Sequence, residues 1–372
     1  MALCMFMPAS PASPISTVSD PHDQSEALSA AVREASARGQ ALRIVGGGTK
    51  GFYGQRVEGE ALCLADHRGV IAYDPAELVI TARAGTPLAE IEAILSQNGQ
   101  LLAFEPLVFG EGGTLGGAVA SGLCGARRPF AGAVRDSLLG VTVLDGQGQA
   151  LRFGGTVFKN VAGFDAFRLM AGALGCLGVL LDVSLRVAPR TAAETSLMLE
   201  EPWAASKARL IALMRRALPL SGAVHDGARL HLRLSGAMAG VAALARELGG
   251  EAEGPGFWET LRRRELLPLA AERLWRVSVP MTADTHAIES LGVVTLRDWA
   301  GAEIWLQSEA PAETIRAAAT ATGGHATLFR GAGPNEEVFH PLPSGLLALQ
   351  QRIKRAFDPA GVFNPGRMYQ DL

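Results

Sequence analysis

The sequence holds four cysteines in 372 residues, at positions 4, 63, 124 and 176, and no two share a C-x-x-C spacing. That argues against an iron–sulfur cluster, a cysteine zinc site or a disulfide framework, and fits a reducing, cytoplasmic setting. No apolar run reaches the ~20 residues a bilayer crossing requires. The longest, 171–181, is interrupted by glycines and stops at Asp182. Excess positive charge is missing too: 34 Lys and Arg stand against 37 Asp and Glu, which leaves no electrostatic footprint for nucleic acid. The first twenty residues lack a basic n-region and carry proline where a signal core would sit, so residues 1–20 are expected to form a disordered lead-in.

Glycine is abundant instead. There are 44 glycines without a G-x-y period, which points to loops that touch a ligand. The densest stretch is 109–125, FGEGGTLGGAVASGLCG. Glycines 110, 112, 113, 116 and 117 are expected to permit positive φ and leave amides uncovered, and Ala118, Ala120 and Ser121 continue with little side-chain bulk. Free amides at the start of such a turn favour an anion, and a dinucleotide pyrophosphate fits. The alternative is a tight helix–strand crossing that needs small residues for packing alone.

A second loop, GGGTKGFYG at 46–54, follows an apolar strand at 41–45. Gly46, Gly48 and Gly51 satisfy G-x-G-x-x-G, and Asp66 lies twenty residues beyond Gly46. A Rossmann crossover nevertheless needs a helix next, and FYGQRVEGE carries no 3.6-residue stripe. Phe52 follows Gly51 where a Walker loop needs lysine, which rules that motif out. What remains is an amide-exposing turn with one cation, Lys50.

The chain around these loops reads as α+β. A helix over 24–38 places Leu28, Ala31, Val32 and Ala35 on one stripe and stops at Gly39. Thr86-Pro87 reads as N-cap and first residue of a helix burying Leu88, Ile91 and Leu95. A hairpin turns at Asp145-Gly146, and a half-buried strand alternates from Val179 to Val187. From about 193 glycine thins out. Strands at 195–199, 229–234, 274–279, 302–307 and 325–329, with helices at 203–217, 237–248, 257–267 and 311–321, predict an antiparallel sheet with helices on one face. His225 and His231 are expected at the surface, and Cys176 as a small buried hydrophobe. A last helix carries Leu346, Leu349, Ile353 and Phe357 at helical spacing, and Asn364-Pro365-Gly366 forms a rigid turn.

Two glycine loops about 65 residues apart, neither in Rossmann context, resemble the FAD-binding domain of the vanillyl-alcohol oxidase/PCMH flavoprotein superfamily. GALGCLGVL at 172–180 and NPGR at 364–367 match later signatures of that group. The segments 257–258, 274–280 and 324–328 narrow the resemblance to the FAD-containing E subunits of bacterial glycolate oxidases. The resemblance implies a PCMH-type domain of two α+β subdomains over 21–190, an antiparallel-sheet cap over 191–335, and a segment 336–372 returning to the flavin site. FAD would be non-covalent, because Thr49 stands where covalently flavinylated relatives carry histidine. The implied cofactor contacts are Gly46, Gly47, Gly48, Thr49, Lys50 and Gly51 in the first loop. In the second they are Gly113, Thr114, Leu115, Gly117, Ala118, Ser121 and Gly122. Pro106, Asp136, Gly175, Gly178, Val179 and Asn364 complete the set. No metal site is expected.

Oxidation of a 2-hydroxy acid such as glycolate or D-lactate needs a hydride acceptor that no side chain supplies, which the flavin would provide. A carboxylate substrate calls for an arginine and a nearby base, and the candidates are Arg276, Arg330 and His325 on cap strands. Each also has a plainer reading, as an ion-paired edge arginine or a polar strand end. Leu174 stands where catalytic relatives carry glutamate in a GSEGTLG-like turn, and the His-x-His metal motif is missing. The resemblance implies a second flavoprotein and an iron–sulfur subunit as partners, with any membrane association through them. A non-catalytic flavin scaffold or electron relay, and a free-standing D-2-hydroxy-acid dehydrogenase, are the alternatives.

Overall fold

The computed structural model describes residues 20–155, 165–333 and 336–372; the lead-in expected over 1–20 lies, apart from Asp20, outside them. A five-stranded antiparallel sheet runs in the order Val70–Asp74, Val79–Arg83, Val179–Arg186, Leu138–Leu144, Ala150–Gly154. Beside it the strands Leu42–Val45 and Glu60–Cys63 pair in parallel. Helix Ser25–Arg38 buries Leu28, Val32 and Ala35 and ends at Gly39 with φ +61°, the left-handed stop a glycine accepts without strain. Helix Leu88–Gln97 buries Leu88, Ile91 and Leu95, but Pro87 holds the N-cap position. The Thr86 hydroxyl is used elsewhere: it donates to Gly69 O (3.2 Å) and accepts from Gly69 N–H (2.9 Å), tying the helix entry to the preceding turn.

The second sheet has eight antiparallel strands, in the order Glu251–Glu253, Ala193–Glu200, Arg229–Gly236, Leu220–His225, Val293–Asp298, Glu303–Gln307, Leu274–Ser278, His325–Arg330. Each half runs strand–helix–strand–strand–helix–strand, a ferredoxin-like unit, and the halves join through the single pair His225↔Arg297. The strands at 220–225 and 293–298 went unread in sequence because they lack a clear two-residue alternation. The first of them, fully buried along its length, also takes His225 inside. His225 and His231 are 1% and 3% exposed, against the surface position expected for them. His225 reaches Glu201 O (3.0 Å), while His231 sits between Asp226 (3.1 Å) and Glu253 (2.8 Å) and stacks on Phe257.

Period-two alternation decides which side chains reach the first sheet's domain. Trp275, Val277, Ile304, Leu306, Ala326 and Leu328 form one buried cluster with helix residues Ile288, Ile315 and Ala319. Their neighbours along the same strands point the other way. Leu274, Trp305 and Phe329 pack with Tyr53, Leu107 and Leu123 from the glycine-loop half. Burying one such large side chain contributes about 1.5–3 kcal/mol, so this seam fixes the two halves against each other.

Helix Ser344–Phe357 differs from a core helix: Leu346 and Leu349 are exposed, and Lys354 is its buried residue. Lys354 Nζ donates to Cys176 O (2.7 Å) and Phe363 O (2.8 Å) and pairs with Asp358 (2.8 Å). That anchor returns the chain to the first strand, where Leu42 N–H donates to Val362 O and Asn364 N–H to Leu42 O.

Candidate functional site

The two glycine loops touch backbone to backbone. A Cβ on Gly47 would lie 1.5 Å from Gly112 O, and one on Gly46 would lie 2.4 Å from Thr114 Oγ1, so neither position admits a side chain. The start of helix Leu115–Ser121 is not the exposed amide cradle expected. Leu115 N–H donates to Thr86 O (2.9 Å), Gly116 N–H to Ala84 O (2.7 Å), Gly117 N–H to Thr114 Oγ1 (3.2 Å) and Ala118 N–H to Thr114 O (3.0 Å). Of the four amides a helix start leaves open, those of Leu115, Gly116 and Gly117 are thus satisfied by protein, and only that of Thr114 is not. Gly116 is a packing glycine, whose Cβ would meet Ala84 Cβ at 2.7 Å. Of the five glycines expected to reach positive φ, Gly110 and Gly112 do, and the other three do not.

The unpaired donors lie one step earlier. Among the described residues, the amides of 46–50 and of 110–114 make no hydrogen bond. Those of 46–50 and of Thr114 border a groove whose walls include Ile44, Leu64, Ala84, Ala120 and Leu180 on the apolar side and Arg43, Lys50 and Arg367 on the charged side. Burial brings the Lys50 ammonium down to about 8. Arg367 donates to the carbonyls of Lys50 (3.2 Å) and Tyr53 (2.8 Å), clamping the C-terminal segment on the first loop. Asn364, at φ +41°, accepts from Ile44 N–H (2.9 Å) and donates to Leu174 O (2.6 Å), so one amide side chain joins three segments of the wall. Free amides, cations and an apolar strip in one track suit an elongated ligand with a diphosphate and a flat ring.

Residues 46–51, Thr114, Gly117, Ser121, Gly175, Gly178 and Asn364 line this groove, and Gly122 lines the adjoining cavity. Gly113 supports the loop from behind through its carbonyl, which accepts from Leu88 N–H (2.8 Å). Leu115, Ala118 and Val179 belong to the hydrophobic core and line neither space. Pro106 is buried and accepts from Arg262 Nε (2.9 Å); the Asp136 carboxylate accepts from Ala133 N–H (2.9 Å).

Ser121 lines both the groove and a cavity of ≈ 460 Å³ between the halves. Tyr53, Arg128, Arg276, Trp299, His325 and His340 face it. Arg276 Nε pairs with Glu303 (3.1 Å), and Tyr53 faces the same cavity. Glu303 also accepts from Trp305 Nε1 (2.9 Å) and Arg264 (3.4 Å), and Arg264 pairs with Asp298 (2.9 Å). This buried quartet balances two carboxylates with two guanidiniums. Burial pushes Asp298 up to about 6 and raises the Tyr53 phenol.

Asp298 also accepts from Trp299 N–H (2.7 Å), at the start of three consecutive left-handed residues: Trp299 (φ +55°), Ala300 (φ +57°) and Gly301 (φ +90°). Two non-glycine residues in that region are strained, at about 1–3 kcal/mol each, and the strain holds the indole against the cavity. Its Nε1 donates to Gly125 O (3.0 Å).

His340 is tied: Nδ1 accepts from Ala326 N–H (3.3 Å), which leaves Nε2 to donate to Thr320 (3.2 Å). The His325 side chain makes no hydrogen bond among the described residues. It lies on the exposed end of its strand, yet partial desolvation by the cavity wall, and then the charge of Arg276, His340 and Arg128, hold its imidazole below the ordinary value, which favours the neutral form near pH 7. Arg330 lies outside the cavity lining, its guanidinium 3.9 Å over the Phe52 ring. Arg128, Trp299, Glu303 and His340 escaped the reading of the sequence. Arg128, three residues past the second glycine loop, offered one signal: a charge placed beside a ligand-facing turn.

Comparison with known proteins agrees with this geometry. A family profile described as an FAD binding domain matches residues 21–154. The chain is 44% identical over 351 residues to the glycolate oxidase subunit GlcE of Escherichia coli (strain K12), covering 94% of this chain and 99% of that protein. A D-2-hydroxyglutarate dehydrogenase of Xanthomonas citri is 29% identical over 167 residues, 44% of this chain and 34% of that protein. The fold is that of an alkyldihydroxyacetonephosphate synthase structure, with a TM-score of 0.67 at 15% identity over 93% of this chain and 75% of that one. Identity at that level, sustained over nearly the whole of both sequences, makes this chain a member of the GlcE family of FAD-binding proteins.

Proposed function

We propose that this chain is the FAD-binding subunit of a glycolate oxidase, taking part in the oxidation of glycolate or a similar 2-hydroxy acid such as D-lactate. The observation that carries the reading is the continuous track from unpaired loop amides, through Ser121, into a cavity holding a cation and a free imidazole. The residues fit the cofactor: the amides of 46–50 and of Thr114 would hold its diphosphate, and Lys50 and Arg367 would offset the charge. Bound FAD supplies the two-electron acceptor that no side chain provides. The chain's own residues then position the acid, exclude water, and offer His325 as acceptor of the hydroxyl proton, with Arg276 on the cavity wall. In this reading residues 21–190 bind the flavin, 191–335 cap it, and 336–372 close the groove.

The flavin is non-covalent, since Thr49 offers no imidazole at the loop. Electrons leave through partner subunits, a second flavoprotein and an iron–sulfur protein. Two observations support this: no C-x-x-C pair exists in the sequence, and among the described residues no helix is long and apolar enough to cross a membrane. A flavin scaffold or relay is the second reading, favoured by Leu174, an apolar residue at φ +49° in the groove wall.

Acid precipitation should release the flavin into the supernatant. Anaerobic glycolate and D-lactate, added to the lone chain and to the chain co-expressed with its partners, separate the readings. Flavin bleaching only in the complex supports the subunit role. A chain that cannot be loaded with FAD would overturn the proposal.

A further inference from the structure

We infer that Arg128, rather than Arg276, is the residue that anchors the substrate carboxylate. The inference rests on the 2-hydroxy-acid reading above and names the group that would carry it. Both arginines face the same cavity, but their charges are spent differently. Arg276 is committed: Glu303 takes its Nε at 3.1 Å. With Arg264 and Asp298 the quartet is neutral, so Arg276 contributes no net attraction for an anion.

Arg128 has no carboxylate within ion-pair distance among the described residues. Its guanidinium lies 4.1 Å over the Trp299 ring, a contact that engages the π-face and leaves the N–H donors unclaimed. The strained left-handed turn at Trp299 is what presents that ring. A half-buried cation with free donors is the strongest carboxylate site in the cavity, because a bidentate pair joins charge to geometry. Uncommitted His325 lines the same cavity, suiting an acid that carries a hydroxyl proton beside its carboxylate. Arg276 then acts as a positioning residue, through Glu303.

The test uses the flavin-loaded chain and 2-hydroxyisobutyrate, a 2-hydroxy acid without an α-hydrogen, which cannot be consumed. Binding is read by tryptophan fluorescence and by calorimetry. Arg128→Met should weaken affinity about ten- to hundredfold, the loss expected for one charge-assisted pair, with flavin content and melting temperature close to wild type. Arg128→Lys should restore part of the affinity, since it keeps the charge and loses the fork. Arg276→Met should lower the melting temperature, because it takes from buried Glu303 one of its two guanidinium partners. Undiminished binding by Arg128→Met overturns the inference, as does a flavin-loaded wild type that binds no probe. Should the chain take up no FAD, the same titration is made on the chain as isolated, and probe binding that Arg128→Met abolishes there sustains the inference and sinks the flavin reading.

Discussion

The groove and the cavity meet at one serine but are built from different material. The groove is backbone: unpaired amides of two loops, placed where Gly47 and Gly112 leave no room for a Cβ. The cavity is side chain: a neutral quartet of Arg264, Asp298, Glu303 and Arg276, with Arg128 and His325 in front of it. A backbone site is destroyed by adding atoms. A side-chain site is destroyed by removing charge.

The largest effect should come from the cavity side. Glu303→Ala leaves Arg276 and part of Arg264 buried without a counter-charge, and such a break costs about 3–5 kcal/mol. Denaturant unfolding should show that loss; stability within 1 kcal/mol of wild type would mean the quartet is not the cap's electrostatic centre.

On the groove side, Gly47→Ala forces the loops apart at Gly112 O. We expect a loss of about 3 kcal/mol together with loss of bound flavin. A variant that keeps both would show that the loops part without consequence, erasing the contrast.

Asp298 sharpens the comparison through pH. Its folded value is about 6, against an ordinary carboxylate value of 3.8. Between those values the folded chain binds the extra proton, so this contribution to stability is full below about pH 4 and is lost as pH rises through about 6. The stability of wild type minus that of Asp298→Asn should therefore fall from pH 4 to pH 7, by about 3 kcal/mol at most. A difference that is flat, or that rises, would mean Asp298 is not held up by burial.

The smallest effect is expected where the groove does use a side chain. Thr114→Ala removes the hydroxyl that caps Gly117 N–H, at about 1 kcal/mol. Flavin content should stay near wild type, because the amides assigned to the ligand, that of residue 114 included, are backbone groups the substitution leaves in place. Full loss of flavin would move the binding surface onto the helix start.

The sequence by itself determined the glycine loops, the α+β order and most of the elements that bracket them. Helix Ser25–Arg38 with its Gly39 stop, the hairpin closing at Asp145, and the cap strands at 274–278 and 325–330 follow from periodicity and turn chemistry, which are local. The family was legible for the same reason, since paired loops are contiguous motifs. Which glycines face a ligand was not, because that depends on what lies across the fold: Thr86 and Ala84 take the amides of Leu115 and Gly116, leaving 46–50 and 110–114 free. Nor could sequence rank the arginines. Arg276 and Glu303 are far apart in the chain and become partners only when their strands pair, Ser278 opposite Glu303 and Arg276 opposite Trp305. Charge neutralisation is a property of distance in space, and tertiary structure alone decides which guanidinium is left over.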